Sequence, residues 1–436
     1  MREMKDSGVE WIGEIPKDWK VSRLKYVLSE AMKYGANETG VEYSSEMPRY
    51  IRITDISLDG KLKDTGKLSL PNNVAKEYIL KDKAILFARS GATVGKTFIY
   101  KSEYGKMAFA GYLISAYCNE KLFSPELLYY FTNSFAYSEW INRVFSQSTI
   151  QNIGADKYVN MILAVPKIAE QQQIVDYLDT KCSEIDATTE DIQKEISLLE
   201  DYKKSVITEA VTKGLDPDAE MKDSGIAWIG EIPKGWKVIR LKYITNSIGD
   251  GLHGTPNYDD LGTILFINGN NLGNRKISIT EKTNRLTEEE YKKYGVLKLD
   301  KRTLLMSLNG TYGTLSMYDN EPIMLSKSVG YINVCNKETK EYLYYFLQSS
   351  LAQNQMTISL AGTTIANLSL ATVRNLRICL PSICEQQQIT DFLDAKCSEI
   401  DAIIADKKRQ RGILADYKKS LIYEYVTGKK EVPINE

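Results

Sequence analysis

Residues 4–26 read MKDSGVEWIGEIPKDWKVSRLKY, and residues 221–243 read MKDSGIAWIGEIPKGWKVIRLKY. The two stretches agree at 19 of 23 positions, at an offset of 217. Chance does not produce that, so the chain contains itself twice. A second pair repeats the message: EQQQIVDYLDTKCSEIDA at 170–187 returns as EQQQITDFLDAKCSEIDA at 385–402, identical at 15 of 18 positions. Weaker echoes lie between, with LYYF at 128–131 and 343–346, CN at 118–119 and 335–336, and TI at 149–150 and 364–365. A repeat of this size fixes the architecture before any local reading. Each half runs head, variable block, helix.

The helices follow from periodicity. Leu178, Ile185, Ile192, Leu199 and Val206 fall at a seven-residue step, with Val175, Cys182 and Ile196 on the adjoining position. A sustained step of seven is the seam of a coiled coil. The second copy offers Leu393, Ile400, Leu414 and Leu421, but Lys407 stands at its third step. Gly214 and Pro217 close the first helix, and Gly428 and Pro433 the second. A helix of about 40 residues is ~60 Å long. The blocks between, roughly 27–168 and 244–383, carry short runs rich in β-branched and aromatic residues, broken by Gly, Asn and Asp. They predict mixed α+β domains in which loops carry the contacts. The expected boundaries are a first mixed α+β domain with its head over 1–168, a helix over 169–215, a second with its head over 216–383, and a helix over 384–436.

Flanks held fixed while blocks diverge suggest that the blocks read different things and the flanks do one job twice. Charge adds to this. The chain of 436 residues is 43% hydrophobic and 26% charged, with a net charge of −1, an ordinary globular composition. That net value speaks against a nucleic-acid binder, yet its distribution does not. Residues 21–168 carry 19 Lys+Arg against 14 Asp+Glu, and residues 238–383 carry 16 against 12. Both blocks are basic and the connectors acidic, the footprint expected where phosphates are met. No apolar run is long enough to span a membrane and the start lacks a secretory leader, which predicts a cytoplasmic protein. Six cysteines without a Cys-x-x-Cys pair and a single histidine, His253, predict reduced thiols and no metal site.

Catalytic motifs are wanting. GATVGKT at 91–97 imitates a phosphate loop, but only three residues separate its glycines and the chain continues as strand, not as a helix that would face phosphates. The matching segment, NGTYGT at 309–314, has no lysine. A β-turn presenting Ser90, Lys96 and Asn309 accounts for both. There is no amino-methyltransferase signature, no dinucleotide fingerprint and little material for histidine catalysis. The sequence predicts a non-catalytic chain.

WIGEIPK-x-WKV ahead of a variable block, then P-x-I-x-EQQQI-x-D-x-L-D opening a long helix, all twice, resembles the specificity subunit of type I restriction–modification enzymes over the whole chain. The resemblance implies two α+β target-recognition domains joined by two long antiparallel coiled-coil helices with a pseudo-twofold internal repeat. It implies that each domain reads one half of a bipartite, asymmetric site in double-stranded DNA, with the helices fixing the gap. It also implies docking of modification subunits that methylate adenine and of restriction–translocation subunits, so that S-adenosylmethionine, ATP and Mg belong to those partners. The competing reading is a coiled-coil interaction protein without a DNA role.

Candidate DNA contacts come from the turns. The loop at 250–256, DGLHGTP, offers His253 and Thr255 or is a plain surface turn, and nothing in the first block matches it. Asn268, Asn270, Asn271, Asn274 and Arg275 form an amide-rich turn. Asn can pair with adenine and Arg with guanine, although Asn also favours turns for backbone reasons. The first block has Arg49 and Arg52 at the corresponding place. Arg89, Ser90 and Lys96, with Asn309, Thr311, Tyr312 and Lys327, complete the set. Thr149, Gln151 and Asn152, matched by Thr364 and Asn367, read more simply as turn and capping residues. Trp11, Trp19, Trp228 and Trp236 are expected to pack heads against helices.

Overall fold

The computed structural model describes residues 2–57, 60–146, 152–273, 275–295, 297–360 and 367–433. Thr149, Gln151, Asn274 and Thr364 lie outside them. The chain divides into two compact units, Met1–Gln193 with Arg409–Glu436, and Lys194–Lys408. The division cuts both long helices, Ile168–Lys213 and Ile383–Val426. Each unit therefore holds a head, a variable block, the opening of the helix that follows that block, and the closing stretch of the other helix.

In unit 1 the head is a hairpin, Met4–Asp6 against Glu14–Pro16. Its apolar residues Ile12, Ile15 and Trp19 are buried with Leu421, Ile422, Tyr425 and Val426. Trp19 Nε1 donates to Glu170 at 3.0 Å, at the start of the first long helix. Gly428 closes the other helix with φ of +71°, and a Cβ there would stand 2.4 Å from Pro16 Cδ. Both its conformation and its neighbour demand glycine. Unit 2 repeats the arrangement: Ile232 and Trp236 pack on Ile207, Ala210 and Val211, Trp236 Nε1 donates to Glu385 at 3.1 Å, and Gly214 lies under the Trp236 ring. Trp19 and Trp236 are the packing residues expected. Trp228 is instead half exposed.

The first glutamine of each EQQQ stretch has a structural reason. Gln171 is buried, donates to the carbonyls of Leu122 and Pro166 at 3.0 and 2.9 Å and accepts from Ser124 N at 2.7 Å. It stitches the helix start to the variable block. Gln386 makes the matching bond to the Pro381 carbonyl at 3.0 Å.

Within each unit the two helix stretches run antiparallel. In unit 1 Lys418 bonds Asp186 at 2.6 Å, Arg411 meets Gln193, and the Tyr177 and Tyr425 rings are 4.6 Å apart. In unit 2 Lys203 bonds Asp401 at 2.6 Å and Lys407 reaches Glu195 at 2.5 Å. Numbers fall on one helix as they rise on the other. Leu178, Ile185, Ile192, Leu393, Ile400 and Leu421 are buried as the heptad reading requires, whereas Leu199, Val206 and Leu414 are half-buried. Burial passes to Ile196, Ile207, Ala210 and Val211, because a 3.6-residue turn drifts against a strict step of seven. Lys407, the residue out of pattern, is answered by Glu195.

The variable blocks share one topology. In unit 1 a sheet runs Lys33–Tyr34, Leu113–Ala116, Ile85–Ala88, Thr97–Ile99. In unit 2 the same order is Thr245–Asp250, Val329–Val334, Thr303–Ser307, Leu315–Met317. Each unit adds a parallel pair, Arg49–Ile51 with Met107–Phe109 and Ile264–Ile267 with Ile323–Leu325. Among the described residues no helix is long and apolar enough to cross a membrane.

Candidate nucleic-acid interface

Backbone bonds bring the predicted residues of unit 2 to one edge. Gly251 N donates to Val329 O, Leu252 N to Leu325 O, and Lys327 N back to Leu252 O at 2.9 Å, which sets the His253 loop beside the Ser326–Lys327–Ser328 turn. Gly269 N donates to Ser328 Oγ at 3.1 Å, adding the Asn-rich turn. Leu308 N donates to Ser328 O and Leu368 N to Leu308 O, both at 2.8 Å, and Asn309 pairs with Asn367. Four loops and the start of the segment at 367 thus meet along one edge.

Unit 1 builds the same edge. Gly35 N donates to Leu113 O, Ala36 N to Phe109 O, Gly111 N to Ala36 O, Arg89 N to Tyr112 O, and Ile153 N to Arg89 O, and Ser90 pairs with Asn152. Asn37 therefore corresponds to His253, Gly111 to Lys327, Tyr112 to Ser328 and Ser90 to Asn309. This corrects the expectation that the 250–256 loop has no counterpart. The two loops differ in side chains and share a backbone whose glycine is obligatory: a Cβ on Gly35 would stand 2.3 Å from Phe109 O, and on Gly251 2.1 Å from Leu325 O. The shared glycine at an offset of 216 was the available signal, and only spacing carried it.

The side chains fall into two groups. In unit 1 the edge presents Asn37, Tyr34 and Tyr112, which sequence reasoning missed; Tyr112 is 60% exposed. Arg89 lies over the Tyr34 ring at 5.0 Å and its Nε is 3.5 Å from Asn152 Oδ1. In unit 2 the edge presents His253, Thr255, Asn270, Thr311 and Lys327, all exposed. His253 Nε2 is 2.7 Å from Asp250 Oδ2. Asn309 Oδ1 is buried without a hydrogen-bond partner among the described residues. Ser90 and Lys96 are half-buried in the turn that follows Arg89.

The second group is engaged within its own unit. Arg49 donates to the Lys63 carbonyl with only 12% of its side chain exposed. Arg52 makes a two-pronged contact with Asp55 at 3.0 and 2.7 Å, capping a short 3-10 turn. Asn268 and Asn271 cap the corresponding turn of unit 2, so there the turn-former explanation of asparagine holds. Tyr312 OH reaches Thr357 Oγ1 at 3.2 Å. Arg275 is bound by Asp394 and Glu341. Burial works against its charge, and the bonds to those two carboxylates more than offset that, so its pKa lies above the ordinary range. A guanidinium so matched is engaged within its own unit, which weighs against the reading of Arg275 as a guanine contact.

The false phosphate loop is settled by packing. Gly91–Thr93 is a single 3-10 turn and Thr97–Ile99 a strand. Gly95, at φ of +83°, would bring a Cβ 2.9 Å from Ile141 Cδ1, and Tyr137 OH donates to its carbonyl at 2.7 Å. Gly313 sits likewise against Met356. These glycines let a helix approach. Among the described residues no group of three or more His, Cys, Asp or Glu is placed to hold a metal.

Compared with known proteins, residues 16–198 and 233–410 match the type I restriction modification DNA specificity domain. The MjaVIII specificity subunit of Methanocaldococcus jannaschii is 25% identical over 430 residues, covering 96% of this chain and 94% of that one. The EcoKI specificity subunit of Escherichia coli is 21% identical, covering 90% and 84%. A solved structure from work on complex assembly and conformational transition of the type I R-M system superposes with a TM-score of 0.65 at 15% identity, over 95% of this chain and 99% of that one, and supports the fold. With two matched domains on two repeats of one topology, the chain belongs to the family of type I restriction–modification DNA specificity proteins.

Proposed function

We propose that this chain is the non-catalytic specificity subunit of a type I restriction–modification complex, reading a bipartite, asymmetric DNA site with one unit per half-site. The observation that carries the reading is the edge built twice from the same backbone bonds and furnished with different side chains. Asn37, Tyr112 and Arg89 on one edge and His253, Asn309 and Lys327 on the other present different donors and acceptors, which is what two unlike half-sites require. Thr255, Asn270 and Thr311 flank the second set, and Ser90 and Lys96 the first. The helices, alike in both copies, set the number of unread base pairs between half-sites. S-adenosylmethionine, ATP and Mg are held by modification and restriction–translocation subunits that dock on this chain.

The test is a map of methylated adenines in host DNA with and without this chain. Loss of a bipartite motif on deletion supports the reading, and an unchanged map refutes it. A salt titration of DNA binding by the assembled complex separates the interaction-protein alternative. Phosphate contacts make log affinity fall with log salt by about 0.9 per phosphate neutralised, and a flat line would favour the alternative.

A further inference from the structure

Arg275 stands at one end of a short ribbon, Leu272–Gly273 against Lys276–Ile277. Its φ is +69°, a conformation that a side chain other than glycine keeps only when its surroundings hold it. They do. Nη1 donates to Asp394 at 2.5 Å and Nη2 to Glu341 at 2.6 Å. The guanidinium lies over the rings of Tyr344 and Tyr345 at 5.3 and 5.6 Å, and Tyr345 OH donates to the same Asp394 at 2.5 Å. Asp394 belongs to the long helix Ile383–Val426, and Glu341 and both tyrosines to the helix Lys337–Gln348.

The other end of the ribbon is the reading edge. Ser278 N donates to Asn271 O at 2.7 Å and Asn271 Nδ2 to Ser278 O at 3.1 Å. Ser316 Oγ clamps the middle, accepting from Gly273 N at 3.0 Å and donating to Lys276 O at 2.9 Å. The ribbon is thus held at both ends. It runs from the long helix to the Asn268–Asn271 turn that abuts Ser328. Unit 1 carries the same four helix residues, Glu126, Tyr129, Tyr130 and Asp179, and among the described residues they meet other neighbours. Tyr130 donates to Asp179, Glu126 pairs with Lys83 at 3.3 Å, and Gly60 lies so close to Tyr129 that a Cβ would be 2.8 Å from its hydroxyl.

We infer that Arg275 is a positioning residue for the second half-site: it locks the Asn268–Asn271 turn to the long helix. The inference rests on the DNA-reading role proposed above. The geometry also says why arginine is needed, since one planar guanidinium serves two carboxylates and two rings, which a lysine cannot do.

The test expresses the full chain in its host with its native partners and maps methylated adenines, scoring base preference separately in each half-site. Arg275→Ala is expected to lower methylation at cognate sites by roughly tenfold and to broaden preference in one half-site only, with partial recovery in Arg275→Lys. If Arg275→Ala does not accumulate as folded protein, Arg275→Lys alone carries the test, through a smaller loosening in the same half-site. Wild-type preference in both half-sites for the folded variants, or equal loosening of both, overturns the inference. If deleting the wild-type chain leaves the host map unaltered, the DNA-reading proposal itself fails, a result distinct from a bipartite motif that ignores Arg275.

Discussion

The two reading edges and the two heads make opposite use of duplication. In the heads, side chains and backbone are both kept: Trp19 and Trp236 are each 1% exposed, each donates to the glutamate that opens a long helix, and each lies against the glycine that ends the other. At the edges the backbone bonds are kept and the side chains are not. Asn37 replaces His253, Gly111 replaces Lys327 and Tyr112 replaces Ser328. A head residue answers to a partner inside the fold, and that partner was duplicated with it. An edge residue answers to something outside, which need not be the same for both copies. The comparison separates what holds the protein together from what it recognises.

The comparison is broken most severely at the heads. Trp19→Ala and Trp236→Ala each remove a large buried ring and are expected to cost about 3–5 kcal/mol of stability, by similar amounts. Denaturant unfolding of each variant would show this, and a large inequality would mean that the heads are not equivalent. Next come the glycines that shape the edges. Gly35→Val and Gly251→Val force a side chain into a backbone carbonyl, so each should abolish reading of one half-site while leaving preference in the other intact, as scored in methylation maps. Smaller effects belong to single contacts. His253→Ala should weaken binding by about 1–3 kcal/mol at one position of the second half-site. Lys327→Ala should reduce the slope of log affinity against log salt by about 1 if it meets a phosphate, with little change of sequence preference.

The smallest effect sharpens the view of the core. Burial pushes the Cys118 and Cys379 thiols up to about 12 and that of Cys182, further influenced by nearby charges, to about 11. Cys397 is also buried, while Cys335 and Cys384 are exposed. At pH 8 an alkylating agent should modify the two exposed thiols rapidly and the four buried ones only on unfolding. Mass spectrometry of the native protein checks this.

Much of the fold was legible because heads and helices are contiguous in sequence. The seven-residue step placed both helices, and their limits fell within a few residues of the glycines expected to end them. The passage of burial from Leu199 and Val206 to Ile207, Ala210 and Val211 was missed, because a strict step of seven does not follow the drift of a 3.6-residue turn. Half of the candidate site was visible as turn composition. The rest was hidden because the edge is assembled by backbone bonds between loops tens of residues apart, and backbone bonds leave no residue signature beyond an obligatory glycine. Arg275 shows the limit from the other side. It sits in an Asn-rich turn that looks like a base reader, yet its partners are carboxylates 66 and 119 residues further along the chain.

The central claim is that each unit reads its own half-site with its own edge. It is tested most directly by mapping methylated adenines in the host before and after His253→Ala and Asn309→Ala are introduced together. The account predicts a bipartite motif in which one half loosens and the other keeps every preferred base. A continuous motif, or loosening of both halves together, would contradict it.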